Sequence, residues 1–319
     1  MIKFFEQAKK YLPETRKYWA DYLFHFSDMK NIVKILESGT LYSRNNAIKK
    51  GLMVNDNASH EVINQTDDYI HDQVRFYFRP MTPTQYNNEG LKEGNPKDKH
   101  CPIPVFLLFD IAIIEHHAHE CILCQKTLAS QLSQELITKQ IEDLNSFPYE
   151  KIYHAGAYDP NFEADIKQYR QAEFCIKNQV GLEDLKYIVT RSFAEKEMLL
   201  YWLKSLNITK YNSIIKCCNE FGFELMFYKH NLYVDNVDLT DEYFKFQVMN
   251  YSPFYKMQII VKCDNDLKRI FKYAVENSRF ELDFPEHSYN HSYKVKVIVD
   301  GEAMFAGEHI KSKKRDFIF

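Results

Sequence analysis

Hydrophobic and polar positions follow two rhythms along this chain. Ala172, Phe174 and Ile176 alternate with Glu173 and Cys175, the period-two pattern of a strand whose faces see different surroundings. Strand patterns also occur at Tyr22–Phe26, Val74–Phe78, Leu185–Val189 and Leu225–Tyr228. Pro104–Asp110 is apolar on both faces and predicts a buried strand. Helical spacing marks residues 3–20, where Phe4, Phe5, Ala8, Tyr11 and Leu12 recur until Pro13 interrupts them. A second helix is predicted from a Ser27-Asp28 cap through Ile32, Ile35 and Leu36 to a stop at Gly39. Others are expected over Ser130–Leu144 and Glu195–Leu206.

Between these lie polar stretches. Residues 44–73 read as loops with one short helix around Ala58–Asn64, and residues 87–101 as a mobile loop. Towards the C-terminus, Phe254–Cys263 and Tyr293–Val299 predict strands, Asp266–Glu276 a helix, and Asp300-Gly301 a hairpin turn. The chain then runs into the basic stretch Lys311-Ser312-Lys313-Lys314-Arg315.

With 319 residues, the chain exceeds a usual single domain, and its 45% hydrophobic content can build a real core. We expect a domain over 1–235 and a small α+β appendage over 236–319 that binds substrate or partner. Only nine glycines occur, and neither a GxGxxG nor a GxxxxGK[ST] motif is present, which removes the glycine-rich devices for nucleotides. A net charge of −3 provides no global basic field, so nucleic-acid contacts must come from local patches. No apolar run reaches a membrane span and the N-terminus lacks a signal-peptide core, so a cytoplasmic protein is expected. Seven cysteines in such a chain read as reduced thiols.

Three places invite chemistry. An ionised Glu173 in a largely apolar strand is costly to bury unless a cleft, a cation or hydrogen bonds receive it. His25, at the end of its strand, is either a core histidine satisfied by backbone or a functional group. His116, His117, His119, Cys121 and Cys124 invite a zinc reading, but a second well-spaced pair is lacking, because Cys217-Cys218 are adjacent. A structural helix end and strand is therefore the expectation there, with no metal.

Taken in order, Leu23-Phe24-His25-Phe26-Ser27 with Asn31-Ile32 and Gly39, Phe76-Tyr77-Phe78 with Pro80, Thr82-Pro83 and Tyr86, and Arg170-Gln171-Ala172-Glu173-Phe174 resemble the DarT-type ADP-ribosyltransferases. The likeness covers about residues 20–235. It implies an α+β fold with a split central β-sheet and flanking helices, and NAD as co-substrate. It also implies transfer of ADP-ribose to a base in single-stranded nucleic acid, ssDNA or mRNA, in a toxin–antitoxin or anti-phage setting, with an antitoxin or chaperone as partner. By resemblance Glu173 is the catalytic glutamate. Cofactor contacts are implied at His25, Ser27, Asn31, Gly39, Leu41, Arg44, Tyr77, Phe78 and Tyr86. An ADP-ribosyltransferase acting on protein, or an NAD-binding module without a nucleic-acid target, is the alternative.

The chain departs from the family in one respect. Where DNA-directed members carry an Arg in the helix before the FYF strand, residues 58–64 contain none, and Met81 replaces a second Arg after that strand. Arg44, Arg75, Arg79 and His60 are the candidate substitutes. The loop 153–170 precedes Glu173 and offers Tyr153, Tyr158, Phe162 and Tyr169 for base stacking beside Lys167 and Arg170 for phosphate. Packing of these rings under the loop is the competing expectation.

Overall fold

The computed structural model describes residues 3–55, 68–94, 101–128, 136–159, 163, 165–220, 222–264, 268–283 and 292–311. Its centre is an eight-stranded sheet. The strands are β1 (Tyr22–Asp28), β3 (Gln73–Tyr77), β4 (Pro104–Asp110), β5 (Cys121–Cys124), β6 (Ile137–Thr138), β7 (Glu173–Lys177), β9 (Leu185–Thr190) and β10 (Ile215–Cys217), and a two-stranded ladder joins β2 (Thr40–Tyr42) to β8 (Gln179–Gly181). The spatial order is β10-β9-β4-β1-β3-β7-β5-β6.

This sheet is nearly two sheets. β1 and β4 pair along seven residues and β3 and β7 along five, but β1 meets β3 only at Phe24 opposite Tyr77. The expected split α+β sheet is therefore present, and it opens between the strands that carry His25 and Glu173. Phe76 packs on Phe109 and Phe174 on one face and Phe24 on Phe106 on the other, and all four of Phe24, Phe76, Phe109 and Phe174 are fully buried. Removing such rings from water is the main stabilising term here, at about 25 cal/mol per Å² of apolar surface.

Helix α1 (Lys3–Tyr11) buries Phe4 and Phe5 against Phe78, and a 3-10 turn over Glu14–Asp21 follows Pro13. Helix α2 (Met29–Ser38) begins at Asp28, whose carboxylate accepts the Lys30 N–H, and ends at Gly39 with φ +70°. Helix α3 (Arg44–Lys49) and a helical turn over Asp68–His71 lie in the segment expected to be mostly loop. The expected helix at 58–64 lies outside the described residues, as does His60.

Several expectations are corrected. From Leu136 onward the predicted Ser130–Leu144 helix is instead strand β6 and a 3-10 turn over Ile141–Ser146, because Ile137 pairs with Cys124 to finish the sheet edge. Leu225–Tyr228 is not a strand. Leu225 has φ +63°, which a strand cannot contain, and the Tyr228 hydroxyl donates to the Met81 carbonyl at 2.7 Å, laying the segment across the turn after β3. The start of the 87–101 loop is anchored: Glu89 is buried and accepts N–H groups from Tyr228 and Lys229, and Leu91 bridges to Leu232.

The described residues of the C-terminal region are built into strands, not into the expected mixture. β11 (Tyr233–Leu239), β12 (Tyr243–Met249) and β15 (Arg279–Asp283) form one sheet; β14 (Lys268–Ala274), β13 (Lys256–Cys263), β16 (Tyr293–Val299) and β17 (Glu302–His309) form another. The segment predicted as helix 266–276 is β14, held by seven register pairs with β13. Asp300 and Gly301 make the expected β16–β17 turn with φ +48° and +82°, the positive pair that a tight hairpin favours. The seven cysteines are free and buried. Among the described residues no helix is long and apolar enough to cross a membrane.

Candidate active site

A cavity of about 610 Å³ opens beside the split. Its walls come from β1 (His25, Ser27), α2 (Asn31, Lys34, Ile35), the 38–55 segment (Leu41, Arg44, Leu52, Met53), β3 (Arg75, Tyr77) and the helix Pro83–Asn88, with Thr127 and Gln171 on the far rim.

Glu173 lies one layer behind that rim and is fully buried. The β3–β7 register sets Tyr77 opposite Glu173 and Arg75 opposite Cys175, so alternation brings all four side chains to one face. Arg75 donates from Nε to one carboxylate oxygen at 2.9 Å and from Nη2 to the other. The Thr127 hydroxyl donates at 3.1 Å and the Leu128 backbone N–H at 3.3 Å. A buried carboxylate is thus fully satisfied by a bidentate cation, a hydroxyl and an amide. Burial opposes the Arg75 charge, but the Glu173 carboxylate outweighs it and holds that guanidinium's pKa above its ordinary value. Burial, with the same carboxylate, pushes the Cys175 thiol up and keeps it neutral.

His25 meets β3 across the split. Its Nδ1 lies 3.0 Å from the Arg75 carbonyl. Because a carbonyl only accepts, Nδ1 carries the proton, and burial lowers the ring's pKa so that Nε2 keeps its lone pair. The cavity therefore presents a neutral imidazole acceptor, held by the backbone of the residue that grips Glu173.

The other expected cofactor residues divide. Ser27, Asn31, Leu41, Arg44 and Tyr77 line the cavity. Asn31 is occupied structurally: it donates to Ser27 Oγ and to the Asn55 carbonyl, and its own carbonyl accepts the Val54 and Asn55 N–H groups, fixing the cavity wall. Gly39 serves as the αL stop of α2 and is not on the lining. Phe78 packs against Phe4 and Phe5 in the core, because the chain turns at Arg79-Pro80 and directs that ring away from the cavity. Tyr86 is about half exposed, stacked on His230 at 4.6 Å and edge-on to Tyr228, on the opposite side of its helix from Thr84 and Asn87.

The residues expected to receive a base are dispersed likewise. Tyr153 is fully buried against Phe4, and its hydroxyl has no hydrogen-bond partner among the described residues, so it cannot serve as a stacking platform. Arg170 covers the Tyr158 ring at 5.0 Å and donates to His154 Nδ1 at 2.7 Å. Tyr169 is half-buried beneath Lys126 and Lys151, and Lys167 is exposed. Phe162 lies outside the described residues. Among the candidate cations, Arg79 is buried over Trp19 and donates to the Pro80 and His154 carbonyls, its pKa lowered to about 9 by burial. It faces away from the cavity, which leaves Arg44 and Arg75 on the lining.

Lys34, Lys92, Thr127 and Gln171 were not singled out in the sequence, and all line the cavity. Gln171 was within reach: it precedes Glu173 by two positions, and its side chain accepts from Thr84 Oγ1 at 2.8 Å. In the CxxC region His116 bonds Asp184 and His117 bonds Glu120. No group of three His, Cys, Asp or Glu side chains that could hold a metal occurs among the described residues.

A family model for ssDNA thymidine ADP-ribosyltransferase, DarT, matches residues 24–217. Among solved structures, Thermus sp. 2.9 DarT in complex with ADP-ribosylated ssDNA is similar at 18% identity and a TM-score of 0.50, over 62% of this chain and 93% of that one. Thermus sp. 2.9 DarT in complex with NAD+ shares 17% identity, with a TM-score of 0.48, over 64% and 96%. Thermosipho africanus DarTG in complex with ADP-ribose shares 15%, with a TM-score of 0.49, over 64% and 51%. No curated protein matches. The family match spans both strands of the split, from the His25 strand through Glu173 to β10, and the chain belongs to the DarT family of ADP-ribosyltransferases.

Proposed function

We propose that the cavity between β1 and β3 binds NAD and that Glu173 drives transfer of ADP-ribose from it to a base of single-stranded DNA. The observation that carries this reading is the placement of a buried carboxylate and a neutral imidazole acceptor on the two sides of the split beside one cavity. As an NAD-dependent ADP-ribosyltransferase, the protein must break the bond between ribose and nicotinamide. Nicotinamide leaves with that bond's electron pair, and positive charge builds on the anomeric carbon and ring oxygen. A carboxylate at that carbon stabilises the transition state more than the ground state. The base nitrogen then supplies the electron pair for the new bond, and its proton passes to a base, for which Glu173 is the candidate.

His25 Nε2 is suited to accept a hydrogen bond from a ribose hydroxyl, and Arg44, Lys34 or Lys92 to meet the pyrophosphate. A single strand spares the cost of extruding the base from a duplex. The family model's description, which names ssDNA thymidine, supports DNA over RNA in this reading. The toxin role and an antitoxin partner belong to the same proposal.

Labelled NAD incubated with the wild type and matched DNA and RNA oligonucleotides tests it. Label on single-stranded DNA, lost with Glu173→Gln, is expected. Label on RNA or protein alone overturns the DNA reading.

A further inference from the structure

An exposed pair of stacked rings sits on the back of the helix that walls the cavity. Thr84, Asn87 and Asn88 of the helix Pro83–Asn88 line the cavity, and Tyr86 projects from its other side. The Tyr86 and His230 rings lie 4.6 Å apart and within 13° of parallel, and Tyr228 meets Tyr86 edge-on at 5.0 Å. Tyr86 is 52% exposed and His230 is exposed as well, so the pair keeps open ring surface.

Holding aromatic rings in water does nothing for the core, yet this pair is firmly fixed. Glu89 is fully buried, and its carboxylate accepts the backbone N–H groups of Tyr228 at 3.1 Å and Lys229 at 2.7 Å and the Gln85 amide at 2.8 Å. Asn231 donates to the Glu89 carbonyl at 2.6 Å, and Asn250 donates to the carbonyls of Lys229 and Asn231. Burying a charge is costly without such bonds, and here they fasten the bend that presents His230 to the helix that presents Tyr86. The His230 Nε2 accepts from the Asn231 amide at 3.1 Å and the ring also bonds to the Tyr86 backbone, so the imidazole offers its face outward.

The charge around the stack is positive. Apart from the buried Glu89, the charges acting most on His230 are Lys92 and Arg191, and those on Tyr228 are Arg79 and Arg170. Lys92 also lines the cavity, and Arg170 directly precedes Gln171 on the far rim, so stack and cavity share a cationic border. Tyr228 and His230 lie beyond the family match at 24–217.

We infer that Tyr86 and His230 form a stacking platform for a base of single-stranded nucleic acid, taking a nucleotide that flanks the one whose base enters the cavity; the flanking position rests on the function proposed above. A flat ring face is what any unstacked base can cover, and cations beside it suit the linking phosphates. An acidic peptide would match the charge and leave the rings uncovered. One helix, about 10 Å across, separates the platform from the cavity, which keeps both within reach of one strand.

The test uses the full chain and single-stranded DNA of about ten nucleotides, within the usual site size for such binding, with 2-aminopurine placed at one position at a time. That base loses fluorescence when it stacks on an aromatic ring. One position flanking the acceptor base should be quenched by wild type. Tyr86→Leu should restore the fluorescence and weaken binding about tenfold, the scale of one stacked base, and Tyr86→Trp should keep both signals. An abasic nucleotide at that position should weaken binding to wild type and not to Tyr86→Leu, a coupling that misfolding would not produce. Quenching that survives in Tyr86→Leu overturns the proposal. So does a raised KM for NAD with oligonucleotide binding intact, which would return the ring to the cofactor. If wild type quenches the base through Tyr86 but labels no DNA, the catalytic reading fails and the platform stands.

Discussion

The Arg75 guanidinium holds both carboxylate oxygens of Glu173 across the β3–β7 pair, and Thr127 bonds to both partners. The carboxylate proposed for the chemistry is therefore held behind the cavity wall by a neighbour that itself lines the cavity. Glu173→Gln keeps the volume and removes the charge. Transfer should fall about 10²–10³-fold, the usual cost of losing a group that stabilises transition-state charge, while NAD affinity changes only a few-fold. Labelling kinetics beside calorimetric titration with NAD measure both, and near-normal labelling would remove Glu173 from its role.

Arg75→Ala leaves the buried carboxylate with Thr127, Leu128 and the weak Cys175 thiol as donors. Stranding one member of a buried pair costs about 3 kcal/mol, so the urea midpoint should drop clearly and activity should fall with it. Arg75→Lys retains charge without the fork and should lie between the two. Equal midpoints for Arg75→Ala and wild type would show that the pair contributes nothing to stability.

Much of this site can be read in the sequence. Alternation around Glu173 separates its face from that of Phe174, although both faces are buried and Glu173 lies off the cavity lining, and the order of His25, the Phe76–Phe78 strand and Glu173 fits the split. The same alternation applied to Gln73-Val74-Arg75-Phe76-Tyr77 would have placed Arg75 beside Glu173, since a charge within an apolar strand carries the same warning in both. Phe78 and Tyr153 could not be placed that way, because a turn and a loop decide which way they face. The C-terminal region misleads for a different reason. Ile270, Phe271 and Ala274 fall at helical spacing, but β14 is an edge strand exposed on both sides, and only its pairing with β13 reveals it. β11, β12 and β15 escaped because the contacts that define them are non-local.

Asp28 caps α2 from a position where burial pushes its pKa up to about 6. Between the ordinary carboxyl value near 4 and that pKa, the folded chain binds the proton more tightly than the unfolded chain. This group's contribution to stability therefore falls as pH rises through that window. Asn caps about as well as Asp and cannot ionise. Asp28→Asn should match or exceed wild-type stability above pH 6, and Asp28→Ala should lose about 1 kcal/mol. Thermal melts between pH 4 and 7 would show the wild-type and Asn curves diverging with rising pH. Parallel curves would refute the shift.

His25 gives the opposite sign. Burial lowers its pKa from the ordinary value near 6.5, so between the two values the unfolded chain takes a proton that the folded chain refuses. Stability then rises with pH through that window and is lost as pH falls. The same proton occupies Nε2, the atom available to accept a hydrogen bond from a ribose hydroxyl. The KM for NAD should therefore climb as pH drops below the ordinary histidine range, with kcat less affected. His25→Ala should raise KM about tenfold at neutral pH, the equivalent of one hydrogen bond of about 1.4 kcal/mol. It should also flatten the acid limb of the KM profile. A variant that kept the wild-type acid limb would show that another group sets it and that His25 serves only to tie β1 to the Arg75 carbonyl.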